Sequence, residues 1–198
     1  MSATVVEGVA ATALRSVLHR VRQAAEQSGR HAEDVRVVAV GKTKPVSLIQ
    51  EIYDAGHRCF GENYVQEIID KAPQLPDDIR WHFIGHLQSN KVKSLLAKSG
   101  VEPSDSIELA KHVRLGCPNL EFSGLMTIGM PDYSSTPENF KTLFKCRTEV
   151  CKVLGMAEFQ CELSMGMSND FEQAIKMGST NVRIGSTIFG PREYPKGQ

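Results

Sequence analysis

The residues with the clearest chemical potential stand where an apolar run stops. In "RVVAVGKTKPV", residues 36–46, the stretch Val37 to Gly41 is uncharged, and Lys42 and Lys44 follow with Pro45 behind them. Side chains alternate along an extended chain, so Lys42 and Lys44 share one side and Thr43 takes the other. Lys42 lies nearer the apolar run and is the more desolvated of the two. Burial and a neighbouring ammonium both lower a lysine's pKa. A lysine so tuned is a nucleophilic amine, suited to a Schiff base with a carbonyl compound. The competing reading is a surface lysine pair in a loop; position at the end of an apolar strand favours chemistry. Lys44, held extended by Pro45, tunes the charge of Lys42 or meets solvent.

A second constellation lies near the C-terminus. Ser168 precedes "NDFEQAIKM", and Gly185-Ser186-Thr187 follows the apolar "NVRI". Hydroxyls and backbone N–H groups at a helix start suit a phosphate dianion. Asn169 and Glu172 also have capping-box spacing, and a phosphate can share those donors. Arg183 sits inside the apolar run, two residues before Gly185. A buried guanidinium requires a partner: a glutamate such as Glu62, or an anionic or aromatic ligand. An amine nucleophile with a phosphate cradle fits two ligand classes, pyridoxal phosphate or a phosphorylated sugar in an aldolase. His82 and His86 are four apart across a strand end, a spacing that does not converge the rings as a helix would, so no metal pair is expected. Met165 and Met167 flank Gly166 and read as packing.

These groups must be held by an alternation of helices and strands. Val9, Ala13, Val17, Val21 and Ala24 recur at helical spacing and Gly29 stops them, giving an N-terminal helix within residues 1–29. "VRVVAVG" is too continuously apolar for a half-exposed strand and suits a parallel sheet covered by helices. Leu48, Ile49 and Ile52 form the next helix, with Ser47 as N-cap, Gln50 at capping-box spacing and Gly56 as stop. Then come strand "RCFGENY", helix "YVQEIIDKA" ended by Pro73, strand "IRWHFIGH" and helix "LQSNKVKSLLAKSG". The second half reads helix "SIELAKHVRLG" with Ser104 or Ser106 as N-cap, strand "LEFSGLMTIG", helix "TPENFKTLFKCRTEVCKVLG", strand "CELSMGMS", helix "NDFEQAIKMG" and strand "NVRIGSTIFG". The tail "PREYPKGQ" is polar and loose. Six strands therefore begin near residues 36, 58, 80, 121, 161 and 181, with two successive helices between the third and fourth. An eight-stranded (β/α) barrel takes ~250 residues; this chain has its alternation and too few strands. In such folds ligands bind at the C-terminal strand ends, which here carry Lys42, Asn63, His86, Ser168 and the Gly185–Thr187 turn.

The whole-chain properties narrow the class. The 198 residues are 41% hydrophobic and 23% charged, with Lys plus Arg and Asp plus Glu equal at 23 each. That balance gives no electrostatic footprint for nucleic acid or an anionic membrane, and no apolar run approaches the ~20 residues that span a bilayer. Five scattered cysteines without a C-x-x-C pair read as reduced thiols in a cytoplasmic setting. Arg15, Arg20 and Arg22 sketch a mitochondrial or plastid transit peptide, against which Glu7 and Glu26 stand.

The stretches "VVAVGKTKP", "FGENYVQE", "WHFIGHLQSNKV", "GLMTIGM", "LSMGMSNDFEQAI" and "GSTNVRIGSTIFGPREY" cover most of the chain. In that order they resemble the pyridoxal-phosphate homeostasis proteins, whose fold is similar to the N-terminal barrel of alanine racemase. The resemblance implies a single α/β domain of the (β/α)8 TIM-barrel type over residues 1–198. It implies that pyridoxal 5'-phosphate is held as a Schiff base on Lys42. It places Arg183 toward the pyridine nitrogen, Ser168 and Gly185-Ser186-Thr187 at the phosphate, and Asn63 and His86 at the cofactor mouth. It implies a non-catalytic carrier or buffer in vitamin B6 homeostasis, a monomer or weak dimer that could hand cofactor to apo pyridoxal-phosphate enzymes. A weak amino-acid racemase and a Schiff-base aldolase are the enzyme alternatives. Two departures stand out. Relatives usually carry serine where this chain has Gly41, which removes a hydroxyl beside the lysine. And Ala97 runs directly into Lys98 where the family has about two more strands, its fourth and fifth, with the helix between them. The chain therefore reads as an internally shortened form with an incomplete barrel of about six strands and weakened cofactor binding.

Overall fold

The structure is a computed structural model that describes residues 8–85, 101–129 and 136–191. Its first helix, α1, spans Val9–Glu26 and buries Ala10, Leu14, Val17, Val21 and Ala24, one stripe at helical spacing. Strand β1 (Arg36–Val40) leads to α2 (Val46–Asp54), β2 (Cys59–Glu62) to α3 (Val65–Lys71), and β3 (Arg80–Phe83) follows. The second half contains α4 (Ser106–Gly116), β4 (Gly124–Met126), α5 (Thr136–Leu154), β5 (Glu162–Ser164), α6 (Phe171–Lys176), β6 (Asn181–Ile184) and α7 (Ser186–Phe189). The expected helix "LQSNKVKSLLAKSG" and the tail beyond Pro191 lie outside the described residues.

The six strands among the described residues are all parallel, in the order β3-β2-β1-β6-β5-β4. The first strand therefore lies between the second and the last, with Val37 opposite Val182 and Ala39 opposite Phe60. Pairing of the first strand with the last is how a (β/α) barrel closes. Among the described residues the ring is interrupted once, between β3 and β4, the sheet's two outer strands. The architecture is an incomplete barrel of the alanine racemase type, six parallel strands long. These two outer strands flank the interval where strand counting finds too few strands.

Alternation sorts the strands' side chains onto two faces. Val37, Ala39, Phe60, Val182 and Ile184 pack beneath the helices with Leu14, Val17, Ile49, Ile52, Phe171 and Ile175. A smaller cluster of Phe140, Leu163, Met165 and Ala174 lies under α5, so Met165 is packing as expected. The opposite, inner face carries polar groups. Arg36 Nη1 donates to both carboxylate oxygens of Glu162 at 2.6 and 2.7 Å. Arg183 Nη1 donates to Ser164 Oγ at 2.6 Å and its Nη2 to the carbonyl of Thr127 at 2.8 Å.

Three boundaries differ from the sequence pattern. The last strand does not run through Gly185-Ser186-Thr187; it ends at Ile184, and α7 begins at Ser186 with Gly185 as N-cap. Ile188 and Phe189 are buried against the same core as α1, so packing, not strand propensity, decides that segment. Helix α2 is capped by Pro45 rather than Ser47, and α6 by Asp170 rather than Asn169. Asp170 Oδ1 accepts from the Met167 N–H at 2.6 Å, which sets that loop. Helix α4 is capped by Asp105, between the two serines expected.

Candidate functional site

The C-terminal ends of the strands bring the expected residues together. The register sets Val40 beside Gly61 and Ala39 beside Ile184, which carries Lys42 alongside Asn63 on one flank and the Gly185–Thr187 turn on the other. A Cβ on Gly185 would lie 3.3 Å from the carbonyl of Val40, so that turn sits directly against the end of β1. Ser168 joins it: its Oγ accepts from the Thr187 N–H at 3.4 Å. Gly166 makes this approach possible, since it has φ +96 and a Cβ there would meet Ala174 Cβ at 2.6 Å. Arg183 lies on the inner face, one layer below. His86 lies outside the described residues.

Arg183 does not pair with Glu62. The two sit on opposite faces of the sheet, and Arg183 is satisfied by Ser164 and Thr127. Burial lowers its pKa to about 10 against the opposing pull of Asp170. Lys44 is tied down as well, donating to the carbonyl of Pro191 at 2.7 Å. Asn63 Oδ1 is buried and has no hydrogen-bond partner among the described residues. Buried polar atoms ordinarily have one, and this one stands at the end of β2, in register with Lys42.

A cluster that the pattern reading missed lies behind Lys42, on the helix side. Lys71 is buried and donates to Glu62 Oε1 at 2.8 Å, to the carbonyl of Gly41 at 3.0 Å and to Glu67 Oε2. Burial pushes the Glu62 carboxyl up to about 7 despite the ammonium, and its Oε2 has no partner among the described residues. Burial also raises Glu67, but the hydrogen bonds from Lys71 and the Thr43 N–H outweigh it and hold that carboxyl low. The signal was present as Glu67 and Lys71, four apart on a helix, and as Glu62 ending an apolar strand. Gly41 belongs to this side too. A Cβ there would lie 3.1 Å from Glu62 Oε1 and 3.2 Å from Ile49 Cδ1, so a serine side chain would start out toward the helix side.

A cavity of about 770 Å³ opens at the other end of the sheet, lined in part by Arg36, Arg58, Arg80 and Glu162. It is remote from Lys42. Arg36 is spent on Glu162 and Arg58 on Asp78.

Comparison with known proteins agrees with this architecture. The alanine racemase N-terminal domain family matches residues 86–193. The human pyridoxal phosphate homeostasis protein is 41% identical, over 93% of this chain and 87% of its own length. The chain belongs to the pyridoxal phosphate homeostasis protein family. PipY of Synechococcus elongatus, solved with pyridoxal phosphate bound, superposes with a TM-score of 0.71 at 26% identity, over 91% of this chain and all of that one. Alanine racemase of Corynebacterium glutamicum superposes at 0.62 with 12% identity, over 89% of this chain and 60% of that one, a likeness of fold. The human match extends over 239 aligned positions, and this chain has 198 residues, so at least 41 of those positions have no counterpart here. The family's members are named for homeostasis of the cofactor and not for a reaction. Among the described residues no helix is long and apolar enough to cross a membrane.

Proposed function

We propose that this chain binds pyridoxal 5'-phosphate through Lys42 and acts as a non-catalytic holder of that cofactor. The observation that carries the reading is the convergence at one end of the sheet: Lys42 at the end of β1, the orphaned acceptor of Asn63, and the Ser168–Thr187 contact. Membership of the family supports it, as does a relative that binds the cofactor. The cofactor supplies an aldehyde that condenses with an amine. Lys42 is the amine this chain offers. Ser168 with Gly185, Ser186 and Thr187 would hold the phosphate through hydroxyl and backbone N–H donors. Arg183 would face the ring nitrogen from the inner face, and Asn63 with His86 would border the mouth.

The test is reduction with borohydride after addition of pyridoxal phosphate, then peptide mass mapping. One pyridoxyl adduct on Lys42, lost in Lys42→Ala together with the visible absorbance band, is the expected result. An adduct elsewhere, with Lys42 unmodified, overturns the assignment. Alanine incubated in deuterated water separates the holder from a racemase: the holder leaves its α-proton unexchanged.

A second reading concerns strength. Among the described residues no strand joins β3 to β4, and such an opening would leave the strand-end site without one wall. We place the missing segment at Ala97–Lys98, where the family resemblance breaks. Pyridoxal phosphate should then bind at least about ten-fold more weakly than to a relative with the full alternation, a difference of roughly 1.4 kcal/mol. Equal affinity in parallel absorbance titrations would refute this.

A further inference from the structure

Among the described residues few charged side chains are buried, and Glu62 and Lys71 are two of them. They bond to each other behind the lysine assigned to the cofactor. A buried ion pair is a poor stabiliser compared with packed apolar side chains, which raises the question of what it secures. By alternation Glu62 faces the helices, on the far side of the sheet from Arg183; Lys42 stands beyond the end of β1, in a turn where the Lys44 N–H donates to the Gly41 carbonyl at 3.0 Å, so the extended alternation expected of Lys42 and Lys44 does not hold there.

What the cluster secures is backbone on both sides of Lys42. Lys71 Nζ donates to the carbonyl of Gly41, the residue before, at 3.0 Å. Glu67 Oε2 accepts from the N–H of Thr43, the residue after, at 2.9 Å. Lys71 joins the two contacts by donating to Glu67 as well, and it is anchored to β2 through Glu62. An ammonium has three donors, and all three are in use. Thr43 itself has φ 64, in the left-handed region. That conformation is unfavourable for a β-branched residue and persists where surrounding contacts hold it. The hydrogen bond to Glu67 is such a contact, made by the strained residue's own N–H.

We infer that Lys71 and Glu67 are positioning residues, which with Glu62 clamp the β1–α2 turn so that Lys42 presents its amine to the cofactor. The clamp rests on the reading of Lys42 as the cofactor lysine. It acts through geometry: it fixes where the Lys42 main chain leaves the strand, and therefore where Nζ can reach. Covalent capture is sensitive to such placement, since small displacements of reacting groups carry large rate penalties.

The test uses the full chain with pyridoxal phosphate as probe, in wild type, Glu67→Ala, Glu67→Gln and Lys71→Met. Glu67 is partly solvent-exposed, so Glu67→Ala should fold, and its apo melting temperature should match wild type. Its capture of pyridoxal phosphate at Lys42, read by borohydride trapping and mass mapping, should slow at least about ten-fold. Protection of the Thr43 amide from hydrogen exchange should be lost in the same variant. Glu67→Gln keeps an oxygen that accepts from both Thr43 and Lys71 and should recover most of the capture rate. Lys71→Met should slow capture likewise, and it should also lower the apo melting temperature because it leaves buried Glu62 without its partner. Wild type labelled at Lys42 with Glu67→Ala labelled equally fast overturns the clamp alone. Wild type labelled elsewhere overturns the assignment of Lys42, and the clamp with it.

Discussion

Phe60→Ala is expected to lose about 4 kcal/mol of folding stability, measured by urea denaturation without cofactor. Phe60 is fully buried in the middle of β2. Its ring meets His57 edge-on at 5.5 Å and Trp81 at 6.2 Å. Trp81 belongs to β3, which lies at the open edge and has β2 as its neighbour in the sheet. Phe60 therefore links the edge strand to the main core through side chains as well as through the ladder. A closed barrel is packed inside and outside its strands. Here the inner face carries the Arg36–Glu162 pair and Arg183, so the helix side supplies most of the apolar burial. Domains have only 5–15 kcal/mol in total, and a loss of this size raises the unfolded population roughly a thousand-fold. A loss under about 1 kcal/mol would show that the cavity collapses freely and that β3 is held by other means.

The fold was legible where local and tertiary preferences agree. "VRVVAVG", "RCFGE" and "NVRI" are legible because each buries apolar side chains against the helices inside a parallel sheet, and the sheet contains them as β1, β2 and β6. The candidate residues for chemistry follow from the strand ends, and all of those within the described residues lie there or, as Arg183 does, just below. Reading failed where a distant contact decides. "GSTIFG" has the β-branched and aromatic residues of a strand, yet Ile188 and Phe189 pack with the α1 core and the segment turns helical. Lys71 stands in the last turn of α3, where a basic residue complements the helix macrodipole. Its burial against Gly41 and Glu62 depends on α3 folding back over β2, which no periodicity in the sequence records. The interruption of the ring was visible as a count of strands, because a missing strand changes the alternation even when every remaining strand is well formed.

Glu62→Gln should reverse part of the pH dependence of stability. The Glu62 carboxyl is held up at about 7 in the folded chain, against 4.5 for an ordinary glutamate. The cause is burial with one oxygen unpartnered, opposed by Lys71. Because the folded value is raised, the native state binds this proton more tightly than the unfolded state does. The contribution to stability is then present below about pH 4.5 and is lost as pH rises through about 7. On that linkage the wild type gives up on the order of 3 kcal/mol over this interval relative to a group that does not titrate. His57 and His82, whose pKa values are lowered by burial, act in the opposite direction, since the native state resists their protonation. Both are present in the variant, so the difference between the two proteins isolates Glu62. The carboxamide keeps an oxygen for the Lys71 ammonium and has no proton to lose. Denaturation midpoints from about pH 5 to about pH 8 should therefore fall more steeply, or rise less, in wild type than in Glu62→Gln. Parallel curves would mean that Glu62 stays ionised throughout, as a full partner of Lys71, and that the unpartnered oxygen costs the fold nothing that titrates.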